Sequence, residues 1–96
     1  MHAMNPEVAH NAAASRFELP LGEGLALCCY RRDGGLLVLH HTEVPPAQQG
    51  RGGAARVVAA ALDWARGEGL RVRPACSYVA VYMRRHPETR DLLEGA

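Results

Sequence analysis

The chain has 96 residues, 48% hydrophobic and 22% charged, with eleven basic side chains against ten acidic ones. A chain this short supports a single core, which excludes a second domain. The net charge of +1 lacks the basic excess of proteins that bind nucleic acids through their phosphates, so we expect no nucleic-acid partner. The absence of lysine excludes Schiff-base chemistry and the lysine of the P-loop.

Residues 1–14 show no sustained hydrophobic period and no secretory signal, which predicts a flexible N-terminal tail before a single domain over residues 15–96. No segment reaches the roughly 18 consecutive apolar residues of a membrane span. Three cysteines, two of them adjacent, do not match a disulfide framework. We therefore expect a cytoplasmic protein without a membrane partner, as a monomer or a homodimer.

Three strands are predicted first, as a meander. Residues 16–21 begin with polar and apolar residues in alternation and end at a Gly-Glu-Gly break. The apolar runs at residues 25–30 and 36–44 are separated by Asp33-Gly34, a strong hairpin signal. The first run is apolar throughout, and the second is apolar until His40, His41, Thr42 and Glu43. Because strands that are apolar on both faces are usually covered on both sides, we expect this sheet to be covered on both faces.

The hydrophobic period becomes helical after residue 53. A stripe of apolar residues predicts a helix from about Gly53 to Arg66: Ala54, Val57, Val58, Ala61, Leu62 and Ala65. A short strand over residues 70–76 and a second helix follow, with Ser77 as N-cap and Arg85 at the end. The order β-β-β-α-β-α predicts an α/β (α+β) fold with a mixed, mostly antiparallel sheet and helices packed on it.

The glycine-rich segment from Gln49 to Ala54 lies between a strand end and a helix start. Glycines there turn backbone N–H groups towards a ligand, and the helix dipole adds partial positive charge, so the segment is suited to bind phosphates. A loop that only joins the strand to the helix is the alternative.

This segment resembles the Q/R-x-x-G-x-G/A signature of the GNAT superfamily of N-acetyltransferases. It follows His-Thr-Glu-Val-Pro at residues 41–45 and precedes Ala-Leu-Asp-Trp-Ala-Arg at residues 61–66 and Pro-Ala-Cys-Ser-Tyr at residues 74–78. Together these segments are similar to small single-domain GNAT-like proteins, over most of the chain from about Phe17 to Leu93.

The resemblance implies a minimal GNAT fold and an N-acetyltransferase that uses acetyl-CoA as donor. The residues it implies for binding acetyl-CoA are Val44, Gln49, Gly50, Arg51, Gly52, Gly53 and Ala54. Full GNAT domains carry one or two helices between their first two strands, which build much of the acceptor pocket, and Gly22-Glu23-Gly24 leaves no room for them. The acceptor is expected to be a small-molecule or peptide amine, and a CoA-binding or acyl-CoA-binding module with little turnover is the alternative.

Acetyl transfer to an amine needs a base for the amine and a proton for the leaving thiolate. Glu43 is the candidate base, and His41 lies two residues earlier on the same strand face. A solvated carboxylate and a hydrogen-bonded strand histidine are the alternatives.

The resemblance implies that Tyr82 protonates the thiolate, with Tyr78, one helical turn earlier, as its rival. Cys76, expected at the end of its strand, is a candidate nucleophile, a thiol of lowered pKa, or a small buried hydrophobe. Cys28-Cys29 and His40-His41 suggest a zinc site, but adjacent strand residues point to opposite faces, so we predict no metal.

Overall fold

The computed structural model describes residues 7–96, in which five strands form one sheet in chain order. Neighbouring strands are antiparallel except for the last two, which are parallel. The strands are β1 (Ala9–Asn11), β2 (Arg16–Leu21), β3 (Gly24–Asp33), β4 (Leu36–Glu43) and β5 (Arg71–Pro74), and the helices are α1 (Gly53–Glu68) and α2 (Ser77–Arg85), followed by a 3-10 helix (Pro87–Leu92). The mixed, mostly antiparallel sheet with a helical crossover is confirmed.

The N-terminal prediction is wrong for residues 9–14, which form β1 and a short 3-10 turn rather than a tail. β1 pairs with β2, with Ala9 opposite Glu18 and Asn11 opposite Arg16. Residues 1–6 of the expected tail lie outside the described residues. A strand of three residues carries too little hydrophobic pattern to be recognised in the sequence.

Aromatic contacts made by His10 hold β1 in place. The imidazole stacks on Phe17 with ring centroids 4.2 Å apart and meets the edge of Trp64 at 4.6 Å. Its Nε2 forms a 2.7 Å hydrogen bond with the Tyr30 hydroxyl. The partners come from β2, β3 and α1, so tertiary contacts fix this strand.

The sheet has one well-covered face, contrary to the expectation of cover on both. In the middle of β3 every second residue is buried, namely Ala26, Cys28 and Tyr30, whereas Leu27 and Cys29 are only partly buried. Residues of α1 and α2 pack with the buried strand residues in one core cluster. Both helices therefore contribute to a single core.

The helix ends differ from those predicted. α1 continues to Glu68 and ends at Gly69, which adopts the left-handed conformation typical of helix C-termini. Ser77 is the first residue of α2 and not its N-cap; that position belongs to Cys76. Among residues 7–96, no helix combines the length and hydrophobicity that crossing a membrane requires.

We expect the docking of β1 to weaken in acid. Burial lowers the pKa of His10 below its ordinary value of 6.5, with Glu68 acting in the opposite direction. Below about pH 6.5 the imidazole therefore binds protons more readily when β1 is undocked than when it is docked. The stability of docking is complete above this pH and decreases as the pH falls towards the lower pKa of the docked state. Hydrogen-exchange protection factors of residues 9–11 should fall between about pH 7.5 and 5.5, and this change should be absent in His10→Phe. Equal protection of the wild-type strand at both pH values would contradict the expectation.

Candidate active site

The site begins where β4 and β5 separate. Their parallel pairing ends at Leu39 and Pro74. The Leu39 carbonyl accepts hydrogen bonds from the backbone N–H groups of both Ala75 and Cys76, each at 3.0 Å. β4 continues to Glu43 without a partner on this side, so a gap opens between the end of β4 and the start of α2.

A cavity of about 370 Å³ occupies this gap. It brings together the end of β4, the loop before α1 and one residue of α2: Thr42, Glu43, Val44, Gln49, Gly50, Gly52, Gly53, Ala54 and Tyr78. All the residues predicted to bind acetyl-CoA line it except Arg51, which lies exposed in the same loop.

The loop has the backbone geometry of an anion site. Gly50 and Gly52 have φ angles of +82° and +81°, which favour glycine. Gly52 is the N-cap of α1 and supplies no side-chain acceptor, and the first helical turn carries no acidic residue. The first N–H groups of a 16-residue helix are thus left for a ligand, and the helix dipole favours an anion there. The residues present fit the pyrophosphate of CoA.

A close contact explains how the helix start is held. Gly53 is buried against β2, and a Cβ at this position would lie 2.6 Å from Cδ1 of Leu21. Glycine therefore lets α1 begin directly on the sheet. The place of Gly53 in the loop was evident from the sequence, but its packing role was not.

The candidate base and its neighbour form a pair on the exposed side of β4. Nε2 of His41 and Oε1 of Glu43 are 3.1 Å apart, and the side chains are 53% and 60% exposed. Glu43 also lines the cavity. The structure thus brings the predicted carboxylate and histidine together at the edge of the cavity, in contact with solvent.

Cys76 faces Thr42 across the gap, with 3.5 Å between its Sγ and the threonine Oγ1. Burial opposes ionisation of this thiol, but the Thr42 hydroxyl and the backbone N–H groups of Val79, Tyr78 and Thr42 outweigh it and lower the pKa below 9.0. By contrast, burial raises the pKa of Cys28 to about 12. Cys76 is therefore the thiol most suited to react, although it caps a helix instead of ending a strand.

The two tyrosines occupy different places. Tyr78 lines the cavity, whereas Tyr82 lies in a separate depression of about 120 Å³ beside Asp63 and Glu88. The Tyr82 ring stacks on His86, with centroids 3.9 Å apart. The structure therefore does not bring Tyr82 to this cavity and places its rival there. Burial raises the pKa of Tyr78, with Arg85 opposing, so the hydroxyl keeps its proton at neutral pH.

The cysteine and histidine pairs do not converge on a metal site. Cys28 lies opposite Thr42 and Cys29 opposite His41, while the register shift beside Cys29 leaves His40 without a strand partner. In the part of the chain that the structure describes, no group of three His, Cys, Asp or Glu side chains is placed to hold a metal ion.

Comparison with known proteins identifies the family. The sequence profile of GCN5-related N-acetyl-transferases matches residues 16–92. The chain belongs to this family. Protein NATD1 of Gallus gallus is 34% identical over 84 residues, which cover 84% of this chain and 76% of the relative. Protein NATD1 of Mus musculus is 35% identical over 83 residues, with 83% and 76% covered.

A solved structure shows the same fold. The solution structure of a GCN5-like putative N-acetyltransferase from Staphylococcus aureus superimposes on this protein with a TM-score of 0.68. The aligned region covers 95% of this chain and 90% of the Staphylococcus aureus chain. The identity is 22%, so this likeness shows the fold alone. It confirms the minimal GNAT fold, and the family match supports acetyl transfer in general.

Removing the Thr42 hydroxyl should make Cys76 less reactive. Thr42→Val deletes a group that stabilises the thiolate, so the pKa of Cys76 should rise and its alkylation by iodoacetamide near pH 7.5 should slow by about two- to tenfold. Thr42→Ser keeps the hydroxyl and is the matched control. Mass-spectrometric rates for each cysteine measure the effect, and equal rates at Cys76 in the two variants would refute the role of the hydroxyl.

Proposed function

We propose that this protein transfers the acetyl group of acetyl-CoA to a primary amine. The observation that carries the proposal is the cavity between β4 and α2, where the glycine-rich loop, the end of β4 and Tyr78 meet. Family membership supports acetyl transfer as the reaction class, and the loop supports CoA as the carrier.

Binding is assigned to backbone groups. The N–H groups around Gly52 and at the start of α1 hold the pyrophosphate, and exposed Arg51 adds a positive charge beside it. Main-chain groups from Thr42 to Val44, at the end of β4 and just after it, hold the pantetheine, because no strand pairs with them on this side. Acetyl-CoA supplies an activated acetyl thioester at the gap.

Proton transfer is assigned to side chains at the edges of the cavity. Glu43, hydrogen-bonded to His41, accepts a proton from the acceptor ammonium, directly or through water. The amine nitrogen bonds to the acetyl carbon, the carbon–sulfur bond breaks, and the nitrogen releases its second proton to water to give the amide. The CoA thiolate takes a proton from the Tyr78 hydroxyl, which regains one from water. Tyr78 replaces Tyr82 in this role because it lines the cavity.

A second route uses Cys76, which the contact with Thr42 favours. The Cys76 thiolate attacks the acetyl carbon and releases CoA, and the amine then attacks the S-acetyl group and returns the thiolate. The absence of lysine simplifies its detection, since acetyl-CoA can label only the α-amine or nucleophiles such as this thiol.

Gly52→Ala should weaken acetyl-CoA binding, whereas Gly34→Ala should not. Both glycines have positive φ and open space where a Cβ would lie, so both substitutions strain the backbone by about 1–2 kcal/mol. Gly52 lines the cavity, whereas Gly34 lies in the β3–β4 turn. We expect calorimetry to show an affinity for acetyl-CoA about tenfold lower in Gly52→Ala only. Wild-type protein that fails to bind acetyl-CoA at millimolar concentration would end the proposal.

Tyr78→Phe should lower kcat by about tenfold or more, the scale of a lost general acid, without a matching loss of acetyl-CoA affinity. Tyr82→Phe, which removes the same atom from the neighbouring turn, is the control and should stay within about twofold of the wild type. Release of CoA thiol with an amine acceptor measures turnover. The opposite ranking of the two variants would return the role to Tyr82.

Intact-protein mass and CoA release separate the remaining alternatives. A gain of one acetyl group on Cys76 before amine is added assigns the first step to the thiol. Binding of acetyl-CoA without CoA release above hydrolysis, across a panel of amines, identifies a binding module.

A further inference from the structure

A row of polar side chains crosses the sheet face away from the helices. Burial alternates along β2 and β3, and the side chains of the row lie on the sheet face opposite to the buried ones. Arg16 of β2 pairs with Cys29 of β3, and Cys29 pairs with His41 of β4. One end of this row is thus the His41–Glu43 pair beside the cavity, and the other end is an arginine.

Arg16 and Glu43, at the two ends of the row, both lie close enough to Cys29 for their charges to change its pKa. Burial raises the pKa of Cys29, while the charge of Arg16 lowers it and that of Glu43 raises it. The Arg16 and His41 positions are two strand spacings apart, about 10 Å between Cα atoms. An extended small molecule spans this distance.

Arg31 adds a second positive charge to the face. It follows Cys29 by two residues on β3 and pairs with Val38 of β4, which in turn pairs with Arg73 of β5. Val38 is buried. Arg73 is held by Glu94. Within residues 7–96 no ion pair engages Arg31, and its side chain is exposed.

Arg16 is only partly engaged. Its Nε donates to Oε2 of Glu18 at 2.6 Å, and the described residues leave its two terminal nitrogens without a carboxylate partner. Glu18 also accepts from Asn11 at 2.9 Å, and its side chain is 17% exposed. Oε2 of this carboxylate therefore accepts two hydrogen bonds, whereas guanidinium N–H groups on the same face remain available to an anion.

We propose that the acceptor is an amine bearing a carboxylate, with its amine at the His41–Glu43 pair and its carboxylate held by Arg16 and Arg31. This inference rests on the proposed acetyl transfer and names the substrate class of that site. A diamine of the same length is disfavoured, because its second ammonium would be repelled by Arg16 and Arg31. The nearby Glu18 carboxylate is already paired with Arg16. Arg16 and Arg31 are specificity-determining residues in this assignment.

Three probes of equal chain length test the assignment: 6-aminohexanoate, hexylamine and 1,6-diaminohexane. In the wild type, kcat/KM should be highest for 6-aminohexanoate and lowest for the diamine. In Arg31→Gln, the ratio of kcat/KM for 6-aminohexanoate to that for hexylamine should fall by about fivefold, the scale of one exposed ion pair. Arg84→Gln, which removes an exposed arginine of α2, should leave the ratio as in the wild type. A wild type that prefers the diamine, or an equal ratio in all three proteins, would overturn the proposal.

Arg16→Gln should change the substrate preference in favour of the diamine. It removes a guanidinium and releases the Glu18 carboxylate from its ion pair, so the preference should shift towards 1,6-diaminohexane. No shift towards the diamine in this variant would count against the assignment of Arg16.

A binding measurement separates this proposal from the proposed reaction. In NMR titrations of the protein alone, 6-aminohexanoate should shift the backbone amide signals of Cys29, Arg31 and His41 more than hexylamine does. Signals that do not respond would refute the carboxylate site even if acetyl-CoA binds. Signals that respond in a protein that does not bind acetyl-CoA would refute the acetyl transfer and retain the site.

Discussion

The separation of β4 from β5 is the constraint on which the rest of the structure depends. The Leu39 carbonyl accepts two successive N–H groups, from Ala75 and Cys76, and this turns the chain out of the sheet and into α2. Beyond this point no strand pairs with β4 on this side. Backbone groups without partners are costly when buried, so the fold leaves them at an open cavity where a ligand can satisfy them.

The same constraint explains why side chains from distant parts of the chain meet. α2 begins beside the gap, so its first turn contributes Tyr78 and its N-cap contributes Cys76. Gly53 fixes the start of α1 against Leu21 on the other side. The cavity is therefore framed by two helix starts and one strand end, each held by packing in the common core.

Much of this arrangement was predictable from the sequence, because its signals are local. The apolar stripe of α1, the Asp33-Gly34 turn and the glycines before Gly53 each act over a few residues, and each predicted element is present. The non-local features were missed. β1 depends on rings that lie far along the chain from His10. Which of Tyr78 and Tyr82 lines the cavity depends on how α2 faces the gap, and helical spacing alone does not determine this.

The cap of α2 shows a different limit. Serine is favoured at helix N-caps, so Ser77 was the natural choice. The strand divergence instead begins the helix one residue earlier and gives the N-cap to Cys76. A tertiary hydrogen bond has here outweighed a local preference, and it has put a thiol among backbone N–H groups that favour its charged form.

The position of Trp64 gives this small protein a built-in optical probe. It is the only tryptophan of the chain, and its ring contacts His10 and lies 5.6 Å from the Arg32 guanidinium. Along α1 it is about 16 Å from the helix start at Gly53, at about 1.5 Å per residue. Intrinsic fluorescence therefore reports on the attachment of the N-terminal strand, largely independently of events at the glycine loop.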